Sequence, residues 1–337
     1  RRFAPLFVGS ALAAFAPLAA AASQSTLSQT PTRPAREGTL QEKPSTKTGA
    51  LLGALTQAAR AGTLTPNSGA GALLSAGPEA TAALFDQLDE ATPKTAPQAL
   101  GADYQRVRRV LREMPPVLVA IATLPTLSAK DRAHALSVTL EVLRATEPAT
   151  SIPALTKVLR GAAAAPVPES VIGRIRRTAS VLAAHPELTS PQVIQWIRAA
   201  GPNLSTSVID GVSQSQAVMT LLGCLAAETG AEGAILNRSA GLIQRGAPVQ
   251  TEAAALLTLP FLSSAGAFER KEASAILGFI GDRRHVEPLI KGLGDDEHMV
   301  RTASLKALKE LTGMTISGDP GRWQGWYQDQ EAWWTNS

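Results

Sequence analysis

Apolar residues recur along this chain at three- and four-residue intervals, over stretches of about a dozen positions parted by Pro and Gly. That spacing lays the apolar side chains along one stripe of an α-helix. Leu136, Leu140 and Leu143 line one stripe, Val171, Ile175, Ala179 and Leu182 a second, and Val193, Ile197 and Ala200 a third. Tyr104, Val107 and Leu111 share a face earlier in the chain. β-Branched runs with strict alternation are nearly absent, which argues against a sheet. Ser128, with Asp131 three residues on, reads as a capping box. Ser190-Pro191 reads as an N-cap followed by Pro at the first helical position, where its missing N–H costs nothing. Helices of this length joined by short loops place successive neighbours antiparallel. The expected fold is therefore all-α.

The pattern repeats itself near the C-terminus. Residues 269–281 align with residues 300–312, matching Arg270 to Arg301, Leu277 to Leu308 and Ile280 to Leu311. Between them, Val286, Leu289, Ile290 and Leu293 form the inner face of a second helix. Gly281 is expected to stop the first helix through a positive φ, and Asp282 to cap the next. Asp295 or Asp296 is expected to cap the helix that follows. One hairpin cannot bury its apolar face alone, so a hairpin repeat predicts a stack of them, an α-solenoid.

These residues resemble the short HEAT-like repeats of the phycobilisome-lyase type. Arg270, Leu277-Gly278, Ile280-Gly281-Asp282 and Val286 followed by Pro288-Leu289-Ile290 carry the resemblance. It is close over residues 265–313, loose over 126–264, where Ile152, Leu155 and Leu159 echo the second helix, and absent before 126. The tail is similar to the ending of many secreted bacterial proteins with such repeats. Thr312-Gly313 is followed by Asp319-Pro320, then Trp323 and Trp326. Asp319 is read as an N-cap, with Trp323, Trp326, Tyr327 and Gln330 on one face that continues to Trp333 and Trp334. The resemblance implies an armadillo-like architecture and partner binding, without implying one chemistry. Arg270, Gly281, Asp282, Arg301, Asp319, Trp323, Trp326 and Trp333 are expected to be structural, the tryptophans covering the exposed end of the stack.

The N-terminus departs from this pattern. Arg1 and Arg2 precede an apolar stretch over residues 3–22 that ends in small residues, the make-up of a cleaved signal peptide. The chain is therefore expected to be exported, to the periplasm or beyond, with no stable membrane insertion after cleavage. The alternative is a retained anchor. Residues 23–48 are rich in Ser, Thr, Gln and Pro and read as a disordered linker. The remainder divides into an irregular Ala/Gly-rich helical region at 49–125, the repeat region at 126–313 and a Trp-rich helix at 314–337.

Composition adds little chemistry. The apolar fraction is 45 % and the aromatic fraction 4 %, an interior of small side chains that lets helices approach closely. Removing Arg1 and Arg2 from the formal charge of +4 leaves +2, too weak for a nucleic-acid partner. The single cysteine, Cys224, lies in an apolar run and reads as a buried thiol; a nucleophilic role would require a histidine brought beside it. Of the histidines, His134, His185, His285 and His298, none has a spacing that suggests a closed metal site, and no His-Glu dipeptide occurs. That removes the di-iron hydroxylases that share such repeats, and an exported chain is at odds with the bilin lyases and DNA glycosylases. The run Asp295-Asp296-Glu297-His298 reads as helix capping rather than a cation site. Asn203 and Asn237 begin glycosylation sequons, relevant only in a eukaryotic source.

No catalytic residue, cofactor or metal site emerges. Two basic faces remain as candidate partner-binding surfaces: Arg106, Arg108, Arg109 and Arg112 on one helix, and Arg174 and Arg177 on another. The expected function is a non-enzymatic interaction module or scaffold that binds a protein or peptide. Two alternatives stand beside it, a structural protein of the envelope and an enzyme whose residues are scattered over several repeats.

Overall fold

The computed structural model describes residues 46–90 and 98–335, and the proposed signal peptide and most of the proposed linker lie outside them. The described residues are all-α. In chain order the helices are α1 (Thr46–Arg60), α2 (Pro66–Ala76), α3 (Pro78–Glu90), α4 (Gln98–Glu113) and α5 (Pro115–Ala122). They continue with α6 (Ala129–Ala145), α7 (Pro148–Ala163), α8 (Glu169–Ala183), α9 (Ser190–Gln214) and α10 (Val218–Gly223). The last are α11 (Glu232–Gln244), α12 (Thr251–Thr258), α13 (Ala267–Ile280), α14 (Val286–Gly292), α15 (His298–Thr312) and α16 (Pro320–Thr335). α1 begins at Thr46, inside the stretch read as linker, and the Ala/Gly-rich region before residue 126 carries the first five helices. None of the described helices is long and apolar enough to cross a membrane.

Packing follows the chain in two rows. In the first, α3, α6, α8, the second half of α9, α11, α13 and α15 each lie against the next. In the second, α5 packs on α7, α7 on the first half of α9, and α10 on α9 and α12, while α14 packs on α16. The side chains predicted to face inward do so: Leu136, Leu140, Leu143, Val171, Ile175, Ala179, Leu182, Val193, Ile197 and Ala200 are buried in one continuous core. A second core gathers around α1 to α5 and includes Val107 and Leu111; Tyr104 belongs to the same expected face, but its side chain lies outside the description. A third holds Val286, Leu289, Ile290, Leu293, Leu308 and Trp323.

α9 carries the chain from one row to the other without a loop. At Gly201 the backbone adopts φ 61° and ψ −176°, a left-handed φ that disfavours side chains, and Pro202 starts the second half. Trp196 fixes the first half to α7: its ring is fully buried and its indole N–H donates to the Ile152 carbonyl at 3.0 Å.

Several cap assignments differ from expectation. Gly281 does not turn through positive φ; it sits at φ −67°, and glycine is needed because a Cβ there would lie 2.3 Å from the Leu277 carbonyl oxygen. Asp282 does cap the next turn, accepting from the Arg284 backbone N–H at 2.8 Å. Its carboxyl is held down at about 2, chiefly by the Arg284 side-chain hydrogen bonds. α9 starts one residue early, with Thr189 as its N-cap and Gln192 accepting from the Thr189 N–H at 2.8 Å. Ser128 caps α6 by accepting from the Asp131 N–H at 3.1 Å, while the Asp131 carboxylate accepts from the Ser128 hydroxyl and not from its backbone N–H as a capping box would require.

Asp295 is not a simple cap either. Its carboxylate receives Arg270 in a two-pronged pair at 2.7 and 2.9 Å, tying α13 to the loop before α15, and accepts from the Glu297 N–H at 2.9 Å. Arg270 also donates to the Ser264 and Ala265 carbonyls, and Arg301 repeats the gesture one hairpin later by donating to the carbonyls of Asp295 and Asp296. The arginine aligned across the two repeats thus holds the loop before its own helix. Asp319 caps α16 through the Gly321 N–H at 2.8 Å. The Trp323 ring is fully buried, donates to the Ser317 carbonyl at 2.8 Å and meets Trp326 edge to face at 5.7 Å. The side chain of Trp333 falls outside the described residues.

Candidate functional site

The two predicted basic faces do not form one surface. α4 packs on α1 and α2, whereas α8 packs on α6 and α9. On α4, Arg106 donates to the Ala59 carbonyl at 2.9 Å, closing the end of α1, and Arg112 stands 3.4 Å from Glu147 with both side chains largely in water. Arg108 lines a small cavity of about 130 Å³ beside Leu88, Leu111 and Glu147, and Arg109 is exposed. On α8, Arg177 is exposed, but Arg174 is not available to a partner. It is largely buried and ion-paired to the buried carboxylate of Glu141 on α6, with Glu79 of α3 at 2.7 Å on its other side. The i, i+3 spacing of Arg174 and Arg177 marks one helical face, but Arg174 is drawn in by carboxylates of α6 and α3 while Arg177 stays in water.

Cys224 is fully buried and donates weakly to the Thr220 carbonyl at 3.2 Å. Burial pushes its thiol up to about 12, so it carries no thiolate near neutrality. The acidic run at 295–298 is occupied by the Arg270 pair and backbone contacts, and among the described residues no group of His, Cys, Asp and Glu side chains gathers as a metal site.

A different surface has the shape of a binding site. An open cleft of about 600 Å³ runs across α11, α13 and α15, three neighbours in the first row. Its floor is made of small residues, among them Ala240, Gly241, Ala275, Ala303 and Ala307. Their size follows from packing: at Gly278 a Cβ would lie 2.7 Å from the Ala307 Cα, so α13 and α15 touch almost backbone to backbone. Where axes approach so closely, side chains on the outer edges rise as walls. Phe279 and Met299 are both exposed there, although each is large and apolar.

The polar groups of the cleft are ordered. Arg238 of α11 pairs with Asp210 of α9 at 2.6 Å, Lys271 with its neighbour Glu272 at 2.6 Å, and Lys306 with Glu310 at 3.7 Å. Glu272 is buried and also accepts from the Asn237 amide of α11 at 3.1 Å, which joins α11 to α13. Arg245 is exposed at the end of α11 and makes no side-chain hydrogen bond or ion pair among the described residues. Two of the cations cover aromatic faces, Lys271 over Phe268 at 5.3 Å and Lys306 over Phe279 at 5.9 Å.

Sequence reasoning passed over this site. Arg238, Gly241 and Arg245 share a face of α11, as do Lys271, Ala275 and Phe279 on α13. Each set alone reads as an ordinary solvated face, and only the lateral stacking of three helices makes a cleft of them. Comparison with models of known protein families gives no match for this chain, and comparison with curated proteins gives none either.

Proposed function

We propose that this chain is an exported interaction module, a HEAT-like α-solenoid that binds a protein or peptide partner in the cleft of α11, α13 and α15. The observation that carries the reading is the cleft itself. It spans three helices that neighbour one another in the first row, is open along its length, and combines a floor of alanine and glycine with exposed Phe279 and Met299. An extended segment fits such a surface because small floor residues let its backbone approach while the walls receive its side chains. The signal-peptide character of residues 1–22 supports export.

The test is selection of a random phage-displayed peptide library on the immobilised full chain, run in parallel on the variant Ala303→Trp. Ala303 is half-buried in the floor, and an indole there fills the cleft. Peptides enriched on the parent and lost on the variant are the expected result. No enrichment, or enrichment that Ala303→Trp leaves intact, overturns the proposal.

A further inference from the structure

The polar groups of the cleft carry information about what enters it. In each of the three ion pairs the carboxylate is the inner partner and the cation the outer one. Side-chain exposure is 45 % for Arg238 against 20 % for Asp210, 37 % for Lys271 against 5 % for Glu272, and 63 % for Lys306 against 33 % for Glu310. Arg245 adds a further exposed cation with no partner among the described residues. A ligand approaching from solvent therefore meets positive charge first, on each helix, although the pairs nearly cancel in a count of formal charge. The 2.6 Å pairs also hold Arg238 and Lys271 in place, so part of their ordering entropy is spent before a ligand arrives.

Two features restrict the ligand further. Phe279 and Met299 stand exposed in the same cleft as the cations, and the ammonium groups of Lys271 and Lys306 lie over aromatic rings. An apolar side chain on the ligand has surface to cover here, which a polyanion with charge at every unit would leave wet. Glu310, one-third exposed, opposes a dense run of negative charge. Resting on the reading of the cleft as a docking site, we infer that its ligand is an acidic protein segment, with carboxylates spaced between apolar residues. The carboxylates meet Arg238, Arg245, Lys271 and Lys306, and the apolar side chains settle between Phe279 and Met299. Charge pairing of this kind sets orientation and association rate, and the apolar anchor supplies most of the affinity.

The experiment uses the full chain and three fluorescent synthetic peptides that share one frame of alternating Leu and polar positions. The polar positions are Glu in the first, Gln in the second and Lys in the third, and binding is read by anisotropy at two salt concentrations. The expected result is binding of the Glu peptide alone, weakened by salt. The paired reversal R245E/K306E should weaken it at least about tenfold, while K157E/R160E, an equal charge change on exposed positions of α7, should not. A circular-dichroism melt checks that R245E/K306E remains folded, and R245Q alone, expected to weaken binding severalfold, serves if it does not. Equal or tighter binding of the Gln or Lys peptide overturns the acidic preference while leaving the docking reading in place. Binding of none of the three overturns the inference, and the phage selection then decides the docking reading separately. Displacement of the Glu peptide by single-stranded DNA at equal concentration also overturns the inference, since the surface would then be reading charge alone.

Discussion

Glu141 is a carboxylate set where water hardly reaches, and its worth lies in what it neutralises. Its side chain is 5 % exposed, Arg174 pairs with it from α8, and Arg144 of its own helix lies 3.0 Å from Oε2. Taking two such charges out of water costs more than an apolar pair of the same shape, but removing Glu141 leaves Arg174 largely buried with only the exposed carboxylate of Glu79 beside it. Glu141→Ala should therefore cost about 3 kcal/mol of unfolding free energy. Replacing both partners, as in E141M/R174M, should cost far less than the single change. Urea denaturation of the two variants checks this, and a double replacement as damaging as the single one would sink the argument. The same pair shows why Arg174 read as a binding residue in the sequence. A basic residue on an amphipathic helix is exposed in the ordinary case, and nothing in its own neighbourhood reveals a carboxylate waiting on a helix one hairpin away.

At the scale of the element, the helices were legible because their evidence is local. A 3.6-residue period needs only the stripe itself, and Val171, Ile175, Ala179 and Leu182 are buried as their spacing requires. Contacts between helices were less legible. In the sequence Gly281 looks like a helix-stop glycine, whereas its requirement is room for the Leu277 carbonyl. Asp295 looks in the sequence like a cap within an acidic run, whereas it chiefly receives Arg270 of α13. The cleft was missed for the same reason, since its floor and walls come from three separate helices. Gly278 is where such close approach is most exposed to test. A methyl group there meets both the Cα and the Cβ of Ala307 within 2.8 Å, so Gly278→Ala must push α13 from α15. The expected loss is about 1–3 kcal/mol despite the better helix propensity of alanine. Because the floor of the cleft moves with it, peptide affinity should fall alongside thermal stability; a variant as stable as the parent contradicts the geometry.

On the scale of the whole molecule, the cores are separate but joined. The one around α14, α15 and α16 holds few large side chains, and Trp323 fills its middle. Leu262 packs against both this core and the central one. Trp323→Ala should cost about 3–5 kcal/mol, a loss this small core cannot absorb. Its effect should be confined: amide exchange should accelerate in α14 and α16 while α6 to α9 keep the protection of the parent. Uniform loss of protection along the chain would mean that the cores unfold as one unit rather than in sections.

The elbow at Gly201 has a consequence for how chains of this kind change over time. Every other passage between the two rows runs through residues outside helices, such as 245–250, where the backbone turns at Gly246 with open space around it. Extra residues can accumulate at such a place without disturbing the packing on either side. Gly201 itself has the same open space, but the two helical halves on either side of it have no such slack. One added residue between Pro202 and Val208 advances the rotation of everything after it in that half by about 100°, so Val208, Ile209 and Val212 would leave the core together. Length variation among descendants of this sequence should therefore collect in the loops and at the elbow, and be purged within the helical halves that the elbow joins.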